Sequence, residues 1–214
     1  MATEKKFLEA VKKLRESESK RQDKRKFNQT VDLIVNLREF EVKKHGFNIF
    51  VQVPHKIKDK KVAGFFEKDS KIIDVITKEN FARYKEKKDI KKLVDSYDFF
   101  VANAKLMPAV ATNFGRILGP VGKMPSPQLG VLPNEDESTI KTLISKINSN
   151  IRIRVKEPSL KVGVAKESLK DDEIVENIQT VYKKILENLP KGIDNIRSIK
   201  IKLTMGKPVT VDIR

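Results

Sequence analysis

The sequence predicts an α/β protein of two domains, in which an α/β domain with parallel strands is inserted into an α+β terminal domain with an antiparallel sheet. Three observations support this prediction. Stretches near both ends alternate apolar and polar residues, as strands with one exposed face do. The middle of the chain instead has short, densely apolar runs between helical segments, as buried parallel strands do. The alternating pattern then returns, so the terminal domain comprises residues 1–60 plus 158–214 and the inserted domain residues 61–157.

The first part of the terminal domain is predicted to contain one helix and two strands. Apolar residues at helical spacing predict a helix over residues 3–16, with Thr3 as its candidate cap. Segment 20–26 has five basic residues in seven, which predicts a solvated linker or a binding arm. Alternating apolar residues then predict strands at 31–37 and 47–53.

The inserted domain is predicted to alternate strands with helices. Its predicted strands are the apolar runs at 62–66, 72–76 and 97–102, and its predicted helices are 78–86, 89–95, 107–117 and 135–147. A loop rich in Gly and Pro, residues 118–127, separates the last two helices. Strands of this density flanked by helices indicate a sheet that is covered on both faces.

The rest of the chain, from residue 151 onward, is predicted to contain two strands, a helix and a hairpin. Alternation predicts strands at 151–155 and 160–164, and residues 169–189 form the clearest helix of the chain. Alternating runs at 199–203 and 209–213 flank Thr-Met-Gly-Lys-Pro, which predicts a hairpin. Turn tips face water, so the Met of this turn raises the question of what it contacts.

The composition indicates a polyanion partner. The chain has 214 residues and a net charge of +16, which favours binding to nucleic acid. It has no Cys, which excludes disulfides and thiolate metal sites and favours an intracellular location. His45 and His55 cannot make a metal site alone, and we expect no cofactor. No apolar run approaches the ~20 residues that span a bilayer, and we expect neither a membrane partner nor a secretion signal.

No motif supports catalysis. A Walker loop ending at Gly122-Lys123 requires Gly at position 117, which is Ile, and a hydroxyl residue at position 124, which is Met. The glycines at 115, 119 and 122 do not have dinucleotide-binding spacing, and Gly119–Gly122 matches the short GXXG pattern of KH modules only formally. We therefore predict that the protein is not an enzyme and has no small-molecule substrate; a nucleotide-using enzyme is the alternative.

Two short segments are candidates for RNA contact. Lys26 and Phe27 open the first predicted strand with Thr30, whose hydroxyl can reach a ribose 2′-OH. In the later turn, Gly206 permits close backbone approach, Met205 can lie against a base, and Thr204 can bond a 2′-OH. The alternative is structural: Phe27 would be a core residue, and Met205 would pack against the sheet edge.

Three motifs together resemble a known family. Lys26-Phe27-x-x-Thr30, Gly119-Pro-x-Gly122-Lys-Met-Pro125 and Thr204-Met205-Gly206 occur in this order. The chain resembles the ribosomal protein L-one family, the proteins of the mobile stalk of the large ribosomal subunit, over essentially its whole length. Lys123, where bacterial members usually have Leu, resembles the archaeal and eukaryotic branch. The resemblance implies the same nested fold, with a Rossmann-like, three-layer inserted α/β domain.

The resemblance also implies a function and a set of site residues. It implies a cytoplasmic, ribosomal protein that binds large-subunit rRNA at the stalk, assists release of exit-site tRNA and represses translation of its own mRNA. The implied RNA-binding residues are Lys26, Phe27, Thr30, Thr204, Met205 and Gly206. Lys161 stands where bacterial members carry a contacting His, and a Lys there can still reach phosphate. A non-ribosomal RNA-binding protein or ribosome-assembly factor of the same fold is the nearest alternative.

Overall fold

The computed structural model describes residues 2–20, 26–70, 72–84 and 87–212, which form two compact units. The terminal unit comprises Met1–Lys58 and Ser149–Arg214, and the inserted unit is Asp59–Asn148. The chain thus returns to the terminal unit earlier than residue 158, the return point predicted from the sequence. The reason is that strand β7 (Asn150–Arg154) pairs antiparallel with β2 (Asn48–Gln52) of the terminal unit.

The terminal unit combines an antiparallel sheet with two long helices. Its helices are α1 (Ala2–Ser19), the single-turn α2 (Val42–His45), α6 (Asp171–Glu187) and a 3-10 helix at Gly192–Asn195. Its other strands are β1 (Thr30–Leu37), β8 (Ser159–Lys166), β9 (Ile196–Leu203) and β10 (Val209–Val211). These four strands form one sheet in the order β10-β9-β1-β8, whereas β2 and β7 form a separate ribbon.

The period-two pattern of β1 gives the sheet one buried and one open face. Val31, Leu33 and Val35 are buried in the same core as the apolar stripes of α1 and α6. The intervening residues of β1 are only half-buried and lie on the outer face. This outer face, and the end of the sheet where β1 begins, position the candidate site.

The inserted unit has a parallel sheet. Its strands are β3 (Val62–Phe65), β4 (Asp74–Val75), β5 (Phe99–Asn103) and β6 (Val131–Leu132), in the order β4-β3-β5-β6. Its helices are α3 (Lys87–Ser96), α4 (Met107–Val121), α5 (Glu137–Ser149) and 3-10 turns at Lys78–Arg83 and Ala104–Leu106. Its core is centred on packed aromatic rings, among them Phe65 and Phe114, whose centroids lie 5.1 Å apart.

The predicted fold class is confirmed, and several elements differ in detail. Helix α4 extends to Val121, so residues 118–121 of the predicted loop are helical, and α2 was not predicted. The segment predicted as a helix at 78–86 is a 3-10 helix over Lys78–Arg83 within the described residues. The run at 72–76 pairs only through Asp74–Val75. Strand β6 was not predicted, because two apolar residues are too few to show a period. Most of the basic segment 20–26 lies outside the described residues.

Candidate nucleic-acid interface

A short segment before β1, residues 26–29, forms a lip at one end of the terminal sheet. Lys26, Phe27 and Asn28 are exposed, and Phe27 leaves 51% of its surface accessible. The next residue, Gln29, is fully buried. Because a core aromatic ring would be almost completely covered, the alternative of Phe27 as a core residue is wrong.

The Thr204–Gly206 turn is hydrogen-bonded to the start of β1. The Thr204 N–H donates to the Thr30 carbonyl at 3.0 Å, and the Thr30 N–H donates to the Thr204 hydroxyl at 3.1 Å. The Gly206 N–H closes the turn onto the Leu203 carbonyl at 2.8 Å. The Met205 side chain nevertheless stays 51% exposed. The turn therefore holds Met205 out on a fixed backbone.

Buried Gln29 connects the turn to helix α1. Its side-chain carbonyl accepts from the Met205 N–H at 3.2 Å, and its amide nitrogen donates to Glu18 at 3.1 Å. A buried amide is costly unless its polar atoms are paired, so these bonds are expected to fix both partners. Gln29 was not predicted from the sequence, because nothing in the local pattern distinguishes a buried glutamine from an exposed one.

Residues at the C-terminal end of β8 and just after it also form hydrogen bonds with the lip and with Thr30. The Lys166 ammonium donates to the Thr30 hydroxyl at 2.8 Å, and the Glu167 N–H donates to the Gln29 carbonyl at 2.9 Å. Asn28 and Ser168 are joined through a side-chain bond of 2.9 Å. The Thr30 hydroxyl is thus already engaged by a cation, which orients it and places a positive charge beside it.

A bulge explains why Lys166 faces outward. On β8 the alternation of Leu160, Val162 and Val164 would direct residue 166 into the core. Between Val31 and Asp32 the register shifts, so that Ala165 is buried and Lys166 lies opposite Thr30. Bulges re-aim side chains in this way. This shift is invisible in the sequence, which is why Lys166 was not a predicted site residue.

Cations surround an acidic residue on the outer face. Lys161 lies opposite Ile34, farther along β1 than the lip, and Lys202 lies opposite Asp32. Burial raises the pKa of Asp32, while the charges of Lys202 and Lys166 oppose that rise. Gly163 is also opposite Asp32, and a Cβ at this position would lie 3.0 Å from the Thr30 methyl. The glycine therefore lets the outer face stay flat beside Thr30.

The Gly-rich loop of the inserted unit is structural. Its first residues form the last turn of α4, which ends where Gly122 adopts φ = 80° and its N–H bonds the Leu118 carbonyl at 2.9 Å. The Lys123 ammonium donates to the carbonyls of Val94 and Tyr97 at 2.6 and 2.7 Å, at the end of α3. Helix C-termini carry partial negative charge, so this loop is unsuited to bind phosphate. Its lysine side chain already donates hydrogen bonds to two carbonyls of the chain.

A carboxylate of the chain occupies the place where doubly wound sheets usually bind ligands. Strand order reverses between β3 and β5, and ligands bind outside the carboxyl ends of strands at such a point. There Glu135 accepts from Asn103 at 2.6 Å and from the N–H groups of Glu67 and Lys68 at 2.9 and 3.2 Å. Burial alone would raise the pKa of Glu135, but these bonds and the Lys68 charge lower it.

The described residues offer no other obvious centre for chemistry. No three of their His, Asp or Glu side chains lie together in a way that would hold a metal ion. His45 is exposed, and His55 bonds Glu176 at 2.8 Å. None of the helices within the described ranges has the length and apolarity needed to cross a bilayer.

Comparison with known proteins gives one consistent result. A family model described as "Ribosomal protein L1p/L10e family" matches residues 14–207. The large ribosomal subunit protein uL1 of Nanoarchaeum equitans is 34% identical over 214 residues, covering 95% of this chain and 98% of that protein. The protein of the same name from Methanobrevibacter smithii is 36% identical over 217 residues, with 95% and 97% coverage. That from Pyrobaculum islandicum is 37% identical over 196 residues, with 86% and 85% coverage.

Proposed function

The chain belongs to the ribosomal protein L1 family, and we propose that it is a structural constituent of the large ribosomal subunit, located in cytoplasmic ribosomes, that binds rRNA through its terminal domain. Its relatives carry the name of a large-subunit protein, which supports the ribosomal role. The RNA contact is proposed to centre on the lip and the Thr204–Gly206 turn, at the base of the mobile stalk.

One observation supports this interface most strongly. Phe27 and Met205, two large apolar side chains that are each about half exposed, are presented by segments whose backbones are tied to each other and to the core. Exposed apolar side chains on segments that are bonded to each other and flanked by lysines indicate a binding surface more strongly than a single exposed residue does. Fixing them before binding lowers the entropy lost on association, which favours tight and selective contact.

The lysines of this interface and its uncharged residues are expected to contribute differently to RNA binding. Lys26, Lys161 and Lys166 would neutralise phosphates, which supplies affinity and salt dependence but little selectivity. Phe27 and Met205 would pack against bases or riboses of an irregular RNA loop, and Thr30, Thr204 and the Gly206 backbone would contact 2′-OH groups. Sequence-selective RNA recognition generally uses unstacked bases of this kind.

Selective binding of stalk RNA tests the proposal. The purified protein is titrated with a large-subunit rRNA fragment that carries the stalk base and with a shuffled fragment of equal length, at four salt concentrations. We expect the natural fragment to bind at least about 1,000-fold more tightly, within the usual range of specific over non-specific ratios. Equal affinity for both fragments would remove the rRNA proposal and leave a non-specific polyanion binder.

The proposal extends to two further partners that the family implies. Movement of the stalk would assist release of deacylated tRNA from the exit site, and an mRNA segment that resembles the rRNA site would bind the same lip and repress translation. The second role predicts competition: the rRNA fragment should displace the 5′ region of the protein's own mRNA. For the first, ribosomes that lack the protein should release exit-site tRNA more slowly, and adding it back should restore the rate.

The two alternatives make different predictions. An assembly factor of the same fold would leave the mature large subunit, so its absence from purified translating ribosomes would favour that alternative. A nucleotide-using enzyme would bind ATP, GTP or NAD in the inserted domain. Lys123 and Glu135 argue against the enzyme, because the lysine caps a helix and the carboxylate fills the sheet's usual ligand position.

A further inference from the structure

A small cavity lies in the terminal unit at the opposite end of the β9–β10 hairpin from the Thr204–Gly206 turn. Its volume is about 140 Å³, and its lining includes Tyr182 of α6, Ile193, Ile196 and Val211, with Arg197 and Asp212 among the remaining residues. About 20 Å of β9 separates Arg197 from the turn, at roughly 3.3 Å per residue. The cavity is therefore separate from the proposed RNA site.

One wall of the cavity contains an unsatisfied buried hydroxyl. Tyr182 is 5% exposed, and its hydroxyl has no hydrogen-bond partner among the described residues. The ring is held edge-on against Phe7 at a centroid distance of 5.8 Å. A buried tyrosine hydroxyl usually finds a partner, so one that lines a cavity is available to donate to an incoming acceptor.

The rim combines an exposed apolar side chain with an unpaired cation. Ile193 leaves 50% of its surface accessible. Arg197 is exposed, and no carboxylate of the described ranges pairs with its guanidinium. Within the described residues, strand β10 is the last strand of its sheet, and no strand pairs with its outer edge. Such an edge can add an extended peptide through main-chain bonds.

We propose that this cavity docks an extended acidic segment of a partner protein. The segment inserts one aromatic or branched aliphatic side chain, accepts a hydrogen bond from the Tyr182 hydroxyl through a backbone carbonyl and sets a carboxylate against Arg197. A closed apolar cavity of about 150 Å³ holds a benzene ring in another protein, so this volume suits one such side chain. The net charge of +16 favours an acidic partner. RNA is the poorer fit, because the lining is largely apolar and Arg197 is its single cation, whereas RNA binding generally uses several cations.

Methyl NMR of the full chain tests the proposal with defined probes. Isoleucine and valine methyl spectra are recorded while phenylacetate, acetyl-Asp-Phe-Asp-amide or acetyl-Lys-Phe-Lys-amide is added. We expect saturable shifts at Ile193, Ile196 and Val211 with the two acidic probes, with dissociation constants on the order of 1 mM for so small a contact. The basic peptide should bind at least about fivefold more weakly because of the charge at the rim.

Three variants separate the parts of the proposed site. Arg197→Ala should weaken the acidic peptide about threefold, the range of an exposed ion pair, and abolish the preference over the basic peptide. Tyr182→Phe keeps the ring and should weaken binding about fivefold by removing one buried hydrogen bond. Arg116→Ala, which removes an exposed charge from the inserted unit, should change nothing.

Several results would overturn the proposal. They are the absence of saturation, equal binding of acidic and basic peptides, insensitivity to Arg197→Ala, or concentration-dependent shifts without probe, which would indicate a second copy of the chain as the occupant. Displacement of the acidic peptide by the stalk RNA fragment would instead assign the cavity to RNA. Met205→Asp serves as the independent check, because it should abolish selective RNA binding and leave peptide binding unchanged.

Discussion

The turn at 204–208 and the loop at 119–125 both combine Gly, Lys, Met and Pro, yet their Met and Lys side chains have different surroundings. In the turn, Met205 is half exposed while its backbone bonds to Gln29. In the loop, Met124 packs against the inserted core and the Lys123 ammonium bonds two carbonyls at the end of α3. One segment presents its side chains to solvent, and the other uses them to close a domain.

The difference follows from the elements that each segment ends. The turn connects two antiparallel strands, so its backbone bonds are made to neighbouring strands and its side chains point away. The loop ends helix α4 and lies beside the end of α3, where unpaired carbonyls attract a cation. A similar set of residues therefore gives a binding surface in one place and a helix cap in the other.

The largest expected effect is at the tip of the turn. Met205→Asp should abolish selective binding of the stalk RNA, with a loss of at least about 30-fold, because hot-spot contacts cost about 2 kcal/mol or more. The free energy of unfolding should change by less than about 0.5 kcal/mol, as is usual for a surface site. Binding titrations and urea denaturation measure both quantities.

Val121→Asp is the matched control for this variant, since Val121 is an equally exposed apolar residue of the inserted unit. It should leave selective RNA binding unchanged. If both variants lose the same affinity, the effect comes from the added negative charge and the turn has no special role.

A smaller loss is expected beneath the turn. Gln29→Ala removes the buried amide that bonds Glu18 and the Met205 N–H, and the loss of these two bonds should cost about 1–3 kcal/mol of stability. RNA affinity should fall about tenfold, because the turn is less well fixed before binding. Unchanged RNA affinity in a destabilised variant would show that the turn does not require this anchor.

Substitution of Lys123 is expected to change stability alone, and substitution of Lys207 is expected to change RNA binding alone. Lys123→Met removes two charge-assisted bonds and should destabilise the inserted unit by about 1.5–3 kcal/mol without changing RNA affinity. Lys207→Met should leave stability unchanged and reduce the salt slope of RNA binding by about 0.7–0.9, one phosphate contact. Hydrogen exchange by NMR reports the inserted unit separately. A loss of RNA affinity in Lys123→Met, or a loss of stability in Lys207→Met, would contradict the roles assigned to these two lysines.

The smallest expected effects are those of pH, and they have opposite signs in the two units. The pKa of Glu135 is lowered, so its stabilising bonds are fully present at neutral pH and are lost as the pH falls from its ordinary value of 4.5 through the lowered pKa. The pKa of Asp32 is raised, so its charged form costs stability at neutral pH, and that cost disappears as the pH falls through the raised pKa.

Conservative amides test these signs. Glu135→Gln should flatten the acid loss of stability in the inserted unit, and Asp32→Asn should stabilise the terminal unit near neutral pH and tighten RNA binding. Denaturation curves between pH 3 and 7, resolved by unit, measure the first two effects. A Glu135→Gln variant with the same acid profile as the natural protein would contradict the assigned role of Glu135.

Local patterns predicted much of the fold but only part of the candidate site. The alternation around Leu33 and Ile201 is enough to separate buried from open sheet faces. Phe27 and Met205 are about half exposed, and their contact with RNA stays a prediction. Gln29, Lys166 and Glu135 could not be found in this way. Each acts through a partner distant in sequence, and the position of Lys166 depends on a bulge.

Methionine-methyl NMR of the protein bound to the stalk RNA fragment is the most direct test of the central claim. The chain has four Met residues, so each methyl signal can be assigned by substitution and followed in a titration. The proposed interface predicts a large shift or broadening at Met205, with Met107 and Met124 unchanged. An unchanged Met205 signal at saturating RNA, or an equal response from Met124, would contradict it.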